Sequence, residues 1–232
     1  MDVKPRYEKQ SLSDKVVLDV KRRILAGTLK SGDRLIETDI SNDFTISRAP
    51  VREAMRILNQ QGLIIFSPRK GNHIIEMGPD ELLEVFEIRT SLERQSLHKI
   101  LRKQLLKEED FQQLTQIALD MKDDERHCQS EEEKVFLFNS LDLAFHKYLW
   151  ELSGNVRRTR ILEGLYYQLL IVMNEDLSSH ETLEKKSEEH LAFVDVLRGN
   201  DLSTVVREFH DHIYAYVKAT LPTEEKNFYL DC

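Results

Sequence analysis

The chain of 232 residues carries 33 Lys and Arg against 41 Asp and Glu, a net charge of −8, with 8 Gly and 5 Pro. That length suits one large or two ordinary domains, the sparse punctuation favours helices, and no apolar run nears the roughly 18 residues of a membrane span. The first ten residues lack the apolar centre of a signal peptide, and Cys128 and Cys232 suggest no disulfide framework, so a cytoplasmic protein is expected.

In chain order, residues 11–26 read as a helix capped at Ser11, with Val16, Val20 and Ile24 on one face and Gly27 as its stop. Gly32-Asp33 is a turn, Leu35-Ile36 a short extended piece, and Glu37 to Asp43 a second short helix. The stretch Ile46 to Leu58, ISRAPVREAMRIL, is the one around which the front of the chain is organised. Val51, Ala54, Met55 and Leu58 form an apolar stripe, Arg48, Arg52 and Arg56 line the adjacent polar face, and Ser47 is the expected N-cap. Arginines at the N-terminal end of a helix with a hydrophobic back suit entry into a DNA major groove; a solvated surface helix is the blander reading. Beyond Gly62, residues 63–66 and 73–77 read as a two-stranded wing around the basic turn Pro68-Arg69-Lys70-Gly71. Residues 1–76 hold 14 Lys and Arg against 10 Asp and Glu (+4), and residues 77–232 hold 19 against 31 (−12). Basic character is thus confined to the end expected to meet a polyanion.

The run from Leu12 to Met77, above all GDRLIETDIS, ISRAPVREAMRIL, QQGLI and PRKGNHI, resembles the DNA-binding head of the GntR family of bacterial transcription regulators. The resemblance implies operator contacts at Arg48 and Arg52 and a wing near the minor groove at Gly71. The DNA-facing set is therefore Arg34, Ser47, Arg48, Arg52, Arg69, Lys70 and Gly71. Where this chain has Phe44-Thr45-Ile46, that family usually has a glycine in the turn.

Gly78-Pro79 reads as a linker between a winged helix-turn-helix domain (1–77) and an acidic all-helical bundle (80–222), with a loose tail (223–232) after Pro222. The overall class is mainly α. Six bundle helices are expected near 80–106, 109–126, 132–152, 156–176, 181–198 and 202–220. On the third, Asp142 lies within the stripe of Phe138, Leu141, Phe145, Leu149 and Leu152, with His146 on its margin. His190 sits among Leu183, Phe193, Val194 and Leu197, and His212 among Val205, Phe209, Tyr216 and Ala219. An unpaired buried carboxylate costs several kcal/mol, so a shared divalent metal is the economical partner; the ligand set suits zinc, nickel or manganese. Each histidine taken alone would more simply be a satisfied core residue. Neither paired Glu-x-x-His motifs nor HExxH occur, and no acid or base stands out for an enzyme.

This region resembles the ligand-binding FCD domain of the FadR-type branch, through EIRTSLE (87–93), DLAFHKYL (142–149), SGN (153–155), EEHLAFVDVLRGND (188–201) and HDHI. Members with a matching Asp, His, His, His set bind a metal that helps hold a small carboxylate effector. Arg89 reads either as a clamp for such an organic acid or as the intrahelical partner of Glu93. Asn155 is a cap, Arg157, Arg158 and Arg160 a solvated face, and His98, His127 and His180 have no assigned role. The resulting expectation is a homodimeric regulator on nucleoid DNA, reading a double-stranded operator and answering to a small organic acid through a metal site.

Overall fold

The computed structural model describes residues 11–123, 128–173, 180–199 and 201–220. The expected tail 223–232, the stop at Pro222, the leading ten residues, the breaks at Ser178-Ser179 and Asn200, and His127 lie outside them. Helix α1 (Leu12–Leu25) starts in a capping box: Ser11 Oγ accepts from Asp14 N–H at 3.1 Å while Asp14 accepts from Ser11 N–H at 3.0 Å. Helix α2 (Glu37–Asp43) follows, and α3 (Arg48–Gln60) buries Val51, Ala54, Met55 and Leu58. The α2–α3 turn places Thr45 at φ 53° and is tied by Ser41 Oγ donating to the Ile46 carbonyl. A β-branched residue there carries the backbone strain that a glycine would avoid.

The wing has three strands, not the two expected. Strands β1 (Arg34–Leu35), β2 (Ile64–Ser67) and β3 (Gly71–Ile74) pair antiparallel in the order β1-β3-β2, with Arg34 opposite His73. The sequence marks Leu35-Ile36 only as extended, because two residues are too few to show an alternating pattern, and its pairing with β3 gives no signal.

The expected linker is itself a helix start. Gly78 caps α4 (Pro79–Arg102), its N–H donating to Glu81 at 3.1 Å, and Pro79 opens the first turn, where a missing N–H is harmless. The bundle continues with α5 (Glu108–Asp123), α6 (Glu131–Leu152), α7 (Val156–Met173), α8 (His180–Gly199) and α9 (Leu202–Thr220). Asn155 caps α7 as expected, accepting from Arg158 N–H at 3.1 Å. Arg158, however, is not simply solvated: its guanidinium reaches back to Ser96 Oγ at 3.1 Å.

Head and bundle share an interface. Helix α1 lies on α6 and α7, Lys21 pairs with Glu163 at 3.1 Å, and Gln168 donates to the Gln61 carbonyl at 3.1 Å. Buried apolar side chains run without interruption from Val16 and Leu58 in the head to Leu162 and Phe209 in the bundle.

Candidate functional site

At the front, α3 differs from the other head helices at its N-terminus. Helix α1 opens with Asp14 and α2 with Glu37 and Asp39, whereas the first turn of α3 has no acid and begins at Arg48. Its unsatisfied N–H groups and positive dipole end are thus left open to an anion. Ser47 occupies the N-cap position, but its side chain makes no capping bond, contrary to expectation; it is exposed beside Arg48. Arg52 is 68% exposed and pairs with Glu37 at 3.1 Å, and Arg56 pairs with Glu53 at 2.6 Å. On the wing, Arg69 (φ 71°) and Gly71 (φ 81°) make the β2–β3 turn, with Lys70 exposed between them. Arg34 joins this end of the sheet: its Nη2 lies 4.0 Å from where a Cβ on Gly71 would stand.

In the bundle, α6, α8 and α9 bring Asp142, His146, His190 and His212 together, all buried, with one ligand atom from each within 4.8 Å of the others. His190 Nε2 lies 3.0 Å and His146 Nε2 3.8 Å from Asp142 Oδ1. Burial would push the Asp142 carboxyl up, but the charge of His146 and the hydrogen bond from His190 outweigh it and hold the group ionised. Burial, reinforced by repulsion from His190, lowers His212 to about 4 against the pull of Glu189. A neutral, desolvated imidazole is the form that ligates metals. Ligand atoms about 2.1 Å from an ion stand roughly 3–4 Å apart, so this group needs only a small contraction to hold one.

Arg89 lines the same cavity as Asp142, His146 and His212, whose apolar wall is made by Leu169, Leu170, Met173 and Ile213. Arg89 is the intrahelical partner of Glu93, its Nε donating to Oε1 at 2.7 Å, and its side chain also lines the cavity and lies over the Tyr166 ring at 5.2 Å. Burial opposes both charges of this pair, yet their mutual attraction keeps Arg89 protonated and Glu93 ionised. Of the remaining histidines, His98 is exposed and His210 stacks on Tyr214, away from the cluster; the side chain of His180 lies outside the described residues.

Sequence reasoning missed Glu189 and Asn139, and saw Glu93 only as the partner of Arg89. Glu93 also accepts from the Trp150 indole at 2.8 Å, and Glu189 stands 3.6 Å from His212 Nδ1. Asn139 lines the cavity, and its Nδ2 donates to the Leu25 carbonyl at the end of α1, 2.8 Å away; its own carbonyl accepts from Tyr166 Oη at 3.0 Å. Asn139 precedes Asp142 by three residues on one buried face, the same signal that marked Asp142 and His146.

Residues 84–215 match the model of the FCD domain, and residues 12–74 that of the gntR family of bacterial regulatory proteins. The chain belongs to the GntR family, with an FCD domain. It is similar to the HTH-type transcriptional regulator YdhC of Bacillus subtilis, 30% identical over 146 residues that span 62% of each protein. The Gluconate operon transcriptional repressor of B. subtilis is 23% identical over 88% of this chain and 83% of its own length, and the repressor RspR of Escherichia coli 23% over 94% and 92%. Among solved structures, E. coli McbR/YncC superposes with a TM-score of 0.77 at 20% identity, covering 90% of this chain and 96% of that one. The GntR/FCD architecture is therefore the one expected from the sequence, and it marks the chain as a transcription regulator rather than an enzyme. Among the described residues, no helix is long and apolar enough to cross a membrane.

Proposed function

We propose that this regulator binds operator DNA as a homodimer and that a divalent ion together with a small carboxylate, held in the FCD cavity, sets its affinity for DNA. The observation that carries the reading is a single cavity lined by Arg89 and by Asp142, His146 and His212, three of the four clustered residues. Arg89 and Asp142 line the cavity, with Glu93 bound to Arg89. A divalent ion held at Asp142 would add positive charge there, which favours an anionic oxygen ligand. Asp142 and the three histidines would hold the ion, which when bound supplies a Lewis-acidic site for a carboxylate oxygen. Arg89 gives its Nε to Glu93 and lines the cavity, where its remaining N–H donors would take a carboxylate. The apolar wall would accept a short carbon chain.

At the front, Arg48 and Arg52 would read base edges, Ser47 and the open N-terminus of α3 would take phosphate, and Arg34, Arg69, Lys70 and Gly71 would meet the neighbouring backbone and minor groove. Two symmetry-related heads double the few base pairs that one short helix reads. An effector alters DNA affinity only by preferring one arrangement of the heads, and Asn139 supplies a route: it touches both the cavity and the end of α1. Metal content of full-length protein purified without chelators, followed by calorimetry of the zinc-loaded form with acetate, succinate and citrate, tests the cavity. About one ion per chain and a carboxylate heat lost in Arg89→Lys are expected; a metal-free protein indifferent to all three acids overturns the reading. Mobility shift with duplexes flanking its own coding region tests the head, and indifference to all of them overturns that part.

A further inference from the structure

Two histidines of the cluster have a carboxylate behind them, each supplied by another helix. His146 on α6 turns Nε2 toward Asp142 and Nδ1 toward Glu93 on α4, 3.7 Å from Oε2. His212 on α9 turns Nδ1 toward Glu189 on α8, 3.6 Å from Oε2. Glu93 is 2% exposed and fixed from two sides, Oε1 by Arg89 at 2.7 Å and Oε2 by the Trp150 indole at 2.8 Å. Its position is thus set by the packing of α4 on α6 and does not depend on an ion.

A carboxylate behind an imidazole keeps the proton on the nitrogen facing it, orients the ring and makes the other nitrogen a better donor to metal. We infer that Glu93 and Glu189 are positioning residues of the metal centre, holding His146 and His212 in the tautomer that presents Nε2 to the ion. This rests on the reading of Asp142, His146, His190 and His212 as ligands. Glu93 carries a second consequence, because the carboxylate behind His146 is also the one that holds Arg89. Metal ligand and effector clamp hang from one side chain, so the ion and the carboxylate should each favour binding of the other.

The chain offers its own reporter. Trp150 is the only tryptophan; its N–H is bound to Glu93 and its ring is stacked near that of His146, centroids 6.2 Å apart at 26°. Full-length parent, Glu189→Gln, Glu93→Gln and Asp142→Ala are titrated with zinc against a chromophoric chelator, and with cobalt while Trp150 emission is followed. The expected result is a zinc affinity lowered about 10–100-fold in Glu189→Gln and Glu93→Gln, and lost in Asp142→Ala. Glu189 is half-buried, so Glu189→Gln should unfold at the parent's temperature when metal-free, which separates positioning from a structural role. Cobalt should quench Trp150 in the parent, and Glu189→Gln should move the quenching to higher cobalt concentration without changing its depth. If Glu93→Gln does not fold, Glu189→Gln alone decides. Affinity within twofold of the parent in Glu189→Gln, with zinc still lost in Asp142→Ala, overturns the positioning role and leaves the ligand reading standing. A parent that takes up neither zinc nor cobalt overturns both.

Discussion

Head and bundle both depend on charged side chains, but they hold them on opposite sides of the solvent boundary. In the head, Arg34, Arg48, Arg52, Arg69 and Lys70 stand in water on elements whose backs are apolar, so none of them is needed for folding. In the bundle, Arg89, Glu93, Asp142, His146, His190 and His212 are buried among Phe145, Leu169 and Phe209. A solvated arginine costs the fold almost nothing while it waits for a phosphate. Buried polar groups cost several kcal/mol each unless they satisfy one another, so the bundle must be stabilised elsewhere to keep them. Substitutions in the head should therefore change DNA binding and leave stability alone, whereas changes to the buried polar groups lining the cavity should register in stability as well as in function.

Acid provides the largest expected separation. His212 is held neutral in the fold, with its pKa at about 4 against an ordinary 6.5. Between these values the unfolded chain binds the extra proton, so stability falls as pH drops below 6.5 and the loss is complete near 4. The difference amounts to roughly 3 kcal/mol for the metal-free protein. Asp142 is also lowered, below its ordinary 3.8, so its contribution is intact throughout this window. Thermal unfolding of the chelator-treated chain from pH 7 to 4.5 checks the sign. A flat profile would show that His212 takes up its proton without resistance. Zinc should move the loss to lower pH, because an ion competes with protons for the same nitrogens.

Next comes a side chain that belongs to both regions. Asn139→Ala removes the donor to the Leu25 carbonyl at 2.8 Å and leaves that buried acceptor unsatisfied, at a cost of about 1–3 kcal/mol. If Asn139 carries the coupling, operator affinity without effector should change little while its response to a carboxylate weakens. A variant that responds as the parent does would place the route elsewhere along the α1, α6 and α7 contact.

Asn139 also illustrates what the sequence discloses and what it hides. Position along a helix is legible: Glu37 to Asp43 is a helix at the expected bounds, and four polar residues on apolar stripes mark the cavity because burial makes each of them expensive. Partnerships across helices are not. Glu93 read only as the neighbour of Arg89 one turn away, since nothing in the spacing says that Trp150, 57 residues later, packs against it. Ser47 sits where an N-cap should, yet caps nothing, because the choice between a local N–H and solvent is not written in the residue type.

A smaller effect, and one confined to function, is expected at the recognition helix. Arg48→Ala should weaken operator binding by about 1–3 kcal/mol if the guanidinium makes paired contacts to a guanine, and should relax preference at that base, with no change in melting temperature. Arg52 is held by Glu37 in the free protein, so it must exchange one partner for another on binding. Arg52→Ala should accordingly cost less than Arg48→Ala. Equal binding by both variants and the parent, measured by fluorescence anisotropy, would remove α3 from the groove.

The finest distinction lies within the head, between reading and gripping. Lys70 stands at the tip of the wing, exposed, between two residues of positive φ that fix the turn without help from its side chain. Its removal should leave the loop's shape intact and delete one cation. A single phosphate contact contributes a slope of about 0.9 in log K against log salt, so Lys70→Ala should flatten that slope by nearly one and weaken binding chiefly at low salt. Because phosphates carry no sequence, the ratio of affinities for the operator and a scrambled duplex should stay where it was. A change in that ratio at one base pair would mean that the wing reads a groove edge. The sequence-reading surface would then extend from α3 across the sheet to Arg34.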